Sequence, residues 1–264
     1  MNETKQIIVE AKDVSLGYGA KTIIREVSFN IETAKIIALL GPNGCGKTTL
    51  MLAIAGILKP VRGIISVSGR NINQLNPLER ARTVALLPQG LPLFIPFTVF
   101  ETVLMGRYPL SSPFFFYNRR DLEETEKLLK NARLWELRNR RCYELSGGEV
   151  QRVILTSVIA QQTPLILLDE PTSSFDISER FKFMEMISEL SNRDKKTVII
   201  ATHDLDLAFG LCSETIMMNS QGEVISGKTS EILIPENIEK VFGVKICSNG
   251  IEGLQKKSFK RGIC

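Results

Sequence analysis

The first ninety residues alternate short runs of strand-like pattern with turn residues. Residues 6–14, 21–31 and 64–67 are each predicted to form a strand. Residues 36–40 (IIALL) form an unbroken apolar run, which is typical of a strand buried on both faces in a parallel sheet. Residues 47–59 then follow a helical pattern that ends before a proline.

The pattern changes between residues 91 and 161. Proline and phenylalanine crowd the beginning of this segment, and helical periodicity with dense charge follows, so we predict a mostly helical insert. Strand patterns return at residues 165–168 and 197–202, with a helix predicted over 178–192. The core face of that helix is predicted from Phe181, Met184, Ile187 and Leu190. Strands that alternate with helices predict an α/β fold.

Composition and charge narrow the possible classes of protein. The 264 residues are 44% apolar and 23% charged, which fits one or two ordinary globular domains. The net charge of +4 is too small to indicate a nucleic-acid partner. We expect no signal peptide, because the N-terminal residues lack an apolar core, and no membrane span. Five scattered cysteines, an odd number, favour a reducing cytosol over disulfides or a metal centre.

A glycine-rich segment follows the apolar run IIALL. Residues 41–50 read GPNGCGKTTL, which fits the phosphate-loop pattern G-x-x-x-x-G-K-[ST]. Glycines let successive N–H groups converge on phosphate oxygens, and the following helix presents its positive end to the same anion. Lys47 is expected to reach the β- and γ-phosphates, and Thr48 to offer its hydroxyl to Mg²⁺. The predicted nucleotide-binding residues of the loop are Gly41, Pro42, Asn43, Gly44, Cys45, Gly46, Lys47, Thr48 and Thr49.

By itself the phosphate loop leaves kinases, GTPases and motor ATPases open. The segment LILLDE (residues 165–170) is an apolar strand that ends in two acidic residues. Asp169 is predicted to hold Mg²⁺, directly or through water. Glu170 is predicted to orient and deprotonate an attacking water. A carboxylate that acts as a general base toward water favours hydrolysis over phosphoryl transfer to a second substrate.

A second anion site is predicted at the segment LSGGEVQ, residues 145–151. Ser146 and Glu149 fit a capping box at the start of a helix. Gly147 and Gly148 leave the N–H groups of the first turn open to an anion. A well-capped helix without a ligand is the alternative. A chain with one triphosphate loop and one such helix end suggests that two copies clasp the nucleotide between them.

Together these motifs resemble the ATP-binding subunit of an ABC transporter, in which LSGGE is the signature motif. The resemblance covers nearly the whole chain, with the motifs in the family's order. It implies a P-loop NTPase (RecA-like) core with an antiparallel β subdomain and an inserted α-helical subdomain.

The resemblance also implies roles for single residues. Tyr18 is expected to stack on adenine, and Gln89 to touch Mg²⁺ and the attacking water and to face the membrane partner. His203 is expected to contact the γ-phosphate and steady Glu170, and Asp176 to cross the dimer interface. Phe175 departs from the small aliphatic residue usual before that aspartate.

The resemblance further implies a working assembly. Two copies are expected to form a head-to-tail dimer, with each ATP between the phosphate loop of one copy and residues 146–149 of the other. An integral membrane permease would dock its coupling helix around residues 91–113 and place the chain at the cytoplasmic face of the plasma membrane. An extracytoplasmic substrate-binding protein would be an indirect partner.

A finer resemblance concerns the cargo. The segment LMGRYP (residues 104–109) looks like the corresponding segment of importers of iron–siderophore, haem and cobalamin, and molybdate or tungstate importers are similar.

The expected organisation is one ABC ATPase domain over residues 1–264, with a core of 1–90 and 162–264 and a helical subdomain of 91–161. A non-transport ABC ATPase, such as one for cluster assembly, is the rival hypothesis.

Cys45 carries a separate hypothesis. It is predicted at a helix N-terminus beside Lys47, a setting that favours the thiolate form of a cysteine. On that hypothesis, alkylation of Cys45 inhibits the protein and ATP protects it. The alternative is an inert small residue.

Overall fold

The computed structural model describes residues 6–90, 94–111, 117–172 and 175–243. The strands of these residues are β1 Ile7–Tyr18, β2 Lys21–Glu32, β3 Ile36–Leu40, β4 Arg62–Val67, β5 Arg70–Asn71, β6 Val84–Leu87, β7 Leu165–Asp169, β8 Thr197–Thr202, β9 Glu214–Met218 and β10 Val224–Lys228. The α-helices are α1 Lys47–Ile54, α2 Pro77–Thr83, α3 Val99–Met105, α4 Arg119–Asn131, α5 Gly147–Ala160, α6 Ile177–Asn192, α7 Leu205–Leu211, α8 Thr229–Ile232 and α9 Pro235–Phe242.

The larger sheet has the strand order β10-β9-β3-β8-β7-β6. Only β10 pairs antiparallel with its neighbour, and the other pairs are parallel. Every residue of β3, β7 and β8 is buried, because the sheet is covered on both faces. The predicted bounds of β3 and β8 are confirmed, and the carboxyl ends of these strands lie together at one edge of the sheet.

A second, antiparallel sheet has the order β2-β1-β4-β5. Its apolar face packs with α1 and one face of the larger sheet in a common core that includes Leu50, Met51 and Ile54 of α1. Strand β1 extends beyond the predicted end at residue 14 because its antiparallel pairing with β2 continues, through shifts of register, as far as the Tyr18–Lys21 pair. The predicted α/β fold with an antiparallel β part is therefore confirmed.

Helix α1 ends earlier than its sequence pattern predicts. It stops at Ile54, five residues before the predicted end, and Gly56 adopts a φ of 69°. This left-handed conformation, which favours glycine, cannot continue a right-handed helix. The prediction of helix through residue 59 was wrong because the apolar pattern continued past the glycine that ends the helix.

The described residues between 94 and 160 contain α3, α4 and α5. These helices enclose a core of their own, formed by Val99, Val103, Leu129, Leu134, Cys142, Val153 and Ala160. The domain limits at residues 91 and 161 stay predictions. Among the described residues, no helix has the length and apolar character that crossing a membrane requires.

The core face of α6 differs from the predicted one. Phe183, Ile187 and Leu190 are buried, whereas the side chain of Phe181 is 61% exposed and Met184 is half-buried. Residues two positions apart in a helix point about 200° apart around its axis, so Phe181 and Phe183 lie on opposite sides of α6. Both sets show helical spacing, and only contact with the sheet decides between them.

Candidate active site

The phosphate loop leads from the end of β3 into α1. Gly44 and Gly46 adopt φ values of 79° and 110°, and a Cβ on Gly46 would come within 2.9 Å of the Ile23 side chain. Gly46 is the N-cap of α1, so the first N–H groups of the helix receive no side-chain cap. The buried Lys47 ammonium donates hydrogen bonds to the carbonyls of Gly41 at 2.8 Å and Pro42 at 3.2 Å. The loop therefore combines open backbone donors with a held cation.

Asp169 lies at the end of β7, directly opposite the start of α1. The Thr48 hydroxyl donates a hydrogen bond of 2.6 Å to Asp169 Oδ2. Burial raises the pKa of Asp169, and the bond from Thr48 acts against this rise. A hydroxyl and a carboxylate oxygen in contact are the hard donors that Mg²⁺ prefers, so this pair fits the predicted metal.

Glu170 and His203 face each other across two neighbouring strands. Parallel pairing sets Asp169 beside Ala201, so the residues that follow β7 and β8 lie close together. The Glu170 N–H donates to the Ala201 carbonyl at 2.9 Å, and His203 Nδ1 is 3.1 Å from Glu170 Oε1. The Glu170 side chain is 9% exposed and that of His203 is 68% exposed. Glu170 also has a φ of 50°, a conformation uncommon for a non-glycine residue and enriched at functional sites.

The phosphate loop, Asp169 and Glu170 open onto one cavity of about 290 Å³. Its lining residues are Ile23, Asn43, Gly44, Gly46, Lys47, Thr48, Thr49, Gln89, Asp169 and Glu170. The cavity thus brings together residues predicted to bind phosphate, to hold metal and to activate water. Ile23 was missed by the sequence prediction, since an apolar residue in a strand gives no signal of a binding role.

The signature segment does not line this cavity. Ser146 is the N-cap of α5, its N–H and hydroxyl both donate to Glu149 Oε2, at 2.9 and 2.8 Å, and the Glu149 N–H approaches Ser146 Oγ at 3.4 Å. The predicted capping box is therefore present. The hydrogen bond from the Ser146 N–H lowers the pKa of Glu149. Ser146 and Gly147 are exposed, and a Cβ on Gly147 would meet no atom within 4 Å, so the turn is open on its outer side.

Other predicted residues also lie outside the cavity lining, namely Gly41, Pro42, Cys45, His203, Tyr18 and Asp176. Tyr18 is exposed at the end of β1. Asp176 is exposed at the N-terminus of α6, where its carboxylate caps the helix. One chain therefore assembles the groups that are predicted to bind phosphate, to hold metal and to activate water, and keeps its signature turn and Asp176 at the surface.

The structure contradicts the thiolate hypothesis for Cys45. The residue is buried, and a Cβ on Gly41 would come within 2.7 Å of its sulfur. Burial raises the pKa of the Cys45 thiol, and the charge of Lys47 only partly opposes this rise. The hypothesis was wrong because the side chain points into the core behind the loop rather than toward the helix end.

The fold and the phosphate loop together define a P-loop nucleotide-binding protein. The family model described as ABC transporter matches residues 24–173. The ferric enterobactin transport ATP-binding protein of Escherichia coli (strain K12) is 32% identical over 237 residues, which are 90% of this chain and 88% of that protein. The chain belongs to the ABC transporter family, and it is an ABC-type ATPase.

Solved structures of the family resemble the chain closely. A chain of an ABC transporter described as metal-chelate type, in an inward-facing conformation, superposes with a TM-score of 0.79 at 28% identity and 90% coverage of both chains. A bacterial ABC transporter cassette solved as a dimer superposes with a TM-score of 0.75 at 26% identity. That comparison covers 84% of this chain and 99% of the cassette.

Proposed function

We propose that the protein is the ATP-hydrolysing subunit of an importer for a metal chelate, most specifically an iron–siderophore or haem. The observation that carries the ATPase part is the convergence of Lys47, Thr48, Asp169 and Glu170 on one cavity. The cargo part is supported by the segment LMGRYP and by the ferric enterobactin and metal-chelate relatives. Cobalamin and molybdate or tungstate are the alternative cargoes.

The chain's own residues divide the chemistry between them. Lys47 and the loop N–H groups bind and orient the phosphates, and Thr48 and Asp169 would hold Mg²⁺, with Gln89 lining the same cavity. Bound Mg²⁺ would neutralise charge on the phosphate oxygens. Glu170 accepts the proton of the attacking water, and His203 orients its carboxylate from 3.1 Å. Tyr18 is proposed to stack on adenine.

The complete site would need a second copy of the chain. Ser146, Gly147 and Asp176 are exposed, Gly148 and Glu149 are half-buried, and none of these residues lines the cavity. In a head-to-tail dimer these residues would close over the partner's ATP, and the similar cassette that was solved as a dimer supports the pairing of two copies.

The permease is proposed to dock on an apolar surface of the helical region. Phe94 and Tyr143 stack with ring centroids 5.3 Å apart and are both exposed, as are Phe97, Met105 and Tyr108. An exposed aromatic cluster of this kind is typical of a protein interface. A permease on this surface would keep the chain at the cytoplasmic face of the membrane, and a substrate-binding protein would act from the other side.

The segment LMGRYP contributes the exposed Met105 and Tyr108 to this surface, and its arginine is buried. Arg107 is buried and pairs with Asp121 of α4 at 2.8 Å, and its guanidinium also donates to the Ala160 carbonyl at 3.3 Å. A buried ion pair with a further hydrogen bond holds its backbone in one geometry. It therefore fixes Met105 and Tyr108, on either side of Arg107 in sequence, relative to α4 and α5.

The Glu170→Gln variant tests the proposed function. The amide keeps the shape of the carboxylate but cannot accept the proton of water, so we expect ATP to bind and turnover to fall about 10²- to 10⁴-fold. The tagged variant, captured from its native membranes with ATP, should bring a multi-span permease with it, identified by mass spectrometry.

Three outcomes separate the hypotheses. Unchanged hydrolysis in Glu170→Gln would contradict the role of Glu170. A permease among the captured proteins supports the importer, and its binding protein can then be screened for iron–siderophore, haem, cobalamin and oxyanion cargo. Capture of a soluble assembly factor without a permease would favour the cluster-assembly hypothesis and leave the ATPase chemistry standing.

A further inference from the structure

The first turn of α6 shapes the turn that holds Asp176. The Glu179 N–H donates to Asp176 Oδ1 at 2.8 Å, and in return Glu179 Oε2 accepts from the Asp176 N–H at 3.3 Å. Glu179 is therefore the second member of the capping box at this helix end.

The same carboxylate lies against the signature helix α5. Glu179 Oε1 is 3.6 Å from a guanidinium nitrogen of Arg152, and the two side chains are 22% and 26% exposed. A Cβ on Gly148 would come within 2.6 Å of Glu179 Oε1. The second glycine of LSGGE thus lets Glu179 approach the signature turn closely, so one carboxylate contacts both turns.

Apolar and buried polar contacts hold these two turns from the inside. The Phe175 ring, next to Asp176 in sequence, packs edge-on against Phe183 with centroids 6.0 Å apart. The buried Gln151 amide of α5 donates to the carbonyl of Pro171. These contacts anchor Phe175 to α6 and Pro171 to α5. At the surface, Glu179 joins the Asp176 turn to α5.

We propose that Glu179 is a positioning residue that holds the signature turn and the Asp176 turn in one fixed relation, so that both reach the second copy together. The proposal rests on the head-to-tail dimer proposed above. Loss of the carboxylate removes the anionic partner of Arg152 and the acceptor of the Asp176 N–H. Glu179 does not line the cavity of the phosphate loop, so nucleotide binding by one chain should be unaffected.

The test measures dimer formation with ATP in the Glu170→Gln background by analytical ultracentrifugation. Glu179→Ala should raise the protein concentration for half-dimerisation about tenfold, the effect of losing one hydrogen bond to a charged group. Glu179→Gln keeps an acceptor for the Asp176 N–H but loses the charge facing Arg152, so an intermediate shift is expected. ADP affinity of the single chain should stay unchanged, and its thermal midpoint should fall by no more than a few degrees, because part of a helix cap is lost.

A matched control comes from the same helix. Glu189→Gln also removes a carboxylate from α6, one that pairs with Arg193 at 3.2 Å on the exposed side, and it should not change dimer formation. Arg152→Gln should reproduce the intermediate defect of Glu179→Gln, and the double variant Arg152→Gln/Glu179→Gln should add little to it, because both changes remove the same ion pair.

The possible failures can be told apart. A Glu170→Gln parent that stays monomeric with ATP overturns the dimer, and the role of Glu179 with it. A parent that dimerises while Glu179→Ala dimerises equally well overturns only the role of Glu179. If Glu179→Ala loses both ADP binding and dimer formation, the change has caused general structural damage. That outcome would also overturn the positioning role.

Discussion

The chain carries two turns that we propose to bind phosphate, and they differ in how complete they are. The phosphate loop opens onto a cavity of about 290 Å³, with the Lys47 ammonium already held over the loop by two carbonyls. The signature turn is exposed, and its Ser146 hydroxyl is bonded to the Glu149 carboxylate of its own capping box. The phosphate loop holds a cation beside its cavity, whereas the hydroxyl of the signature turn already donates to a carboxylate of its own capping box.

This difference separates the groups that one chain assembles alone from the groups that we propose to act only on a second copy of the chain. Buried groups such as Asp169 keep their geometry because the two sheets and α1 enclose them. An exposed helix end has little intrinsic affinity for an anion, since water competes for the same N–H groups. Nucleotide binding should therefore depend on the loop, and closure of the dimer on the signature turn.

Removing the charge of the phosphate loop should have the largest effect of the changes considered below. Lys47→Ala eliminates a cation that would donate to the phosphates, and we expect the affinity of the single chain for ATP to fall about 10- to 100-fold. Titration calorimetry with Mg²⁺ and ATP measures this loss. Lys12→Ala is the control, because Lys12 is an exposed cation that pairs with Glu10 on β1, away from the cavity. Normal ATP binding by Lys47→Ala would contradict the assignment of the loop.

Cysteine labelling tests how tightly the loop is enclosed. Because the thiolate is the reactive form and burial raises the pKa of Cys45, alkylation of the native protein should be slow at pH 8. The rate should rise with pH only above the range where the thiol of the unfolded chain ionises. We expect at least about tenfold faster labelling of this site after unfolding in urea, followed by peptide mass spectrometry. Equal rates in the native and unfolded protein would contradict the enclosed geometry.

The two turns also differ in how far the sequence could predict them. The loop pattern, the apolar strand before it and the acidic end of LILLDE placed Lys47, Thr48, Asp169 and Glu170 correctly in one cavity, because parallel strands bring their carboxyl ends together. The contact between His203 and Glu170 was expected only from the family resemblance. Neighbouring strands then put these residues 3.1 Å apart.

Errors arose where long-range packing decides between equal local patterns. Phe181 and Phe183 both fit a helical period, and only the contact of α6 with the sheet selects Phe183. The end of α1 at Gly56 depends on backbone conformation rather than on apolar spacing. The position of Glu179 beside Gly148 could not be predicted, since the two residues are 31 positions apart in sequence and meet only in the fold.

The smallest expected effect concerns the charge beside the signature turn. The hydrogen bond from the Ser146 N–H lowers the pKa of Glu149, so its carboxylate is negative at neutral pH and lies 2.8 Å from the Ser146 hydroxyl. A phosphate that approaches this turn would be repelled by that charge and would compete with it for the hydroxyl. Glu149→Gln keeps an acceptor for the cap and removes the repulsion, which at close range in water amounts to about 1 kcal/mol. In the Glu170→Gln background it should therefore strengthen ATP-driven dimerisation about fivefold by ultracentrifugation, whereas Glu144→Gln, in the turn before, should have no effect. Weaker dimerisation of Glu149→Gln would mean that the capping box matters more than the charge, and that the signature turn needs its own carboxylate to keep its shape until the second copy arrives.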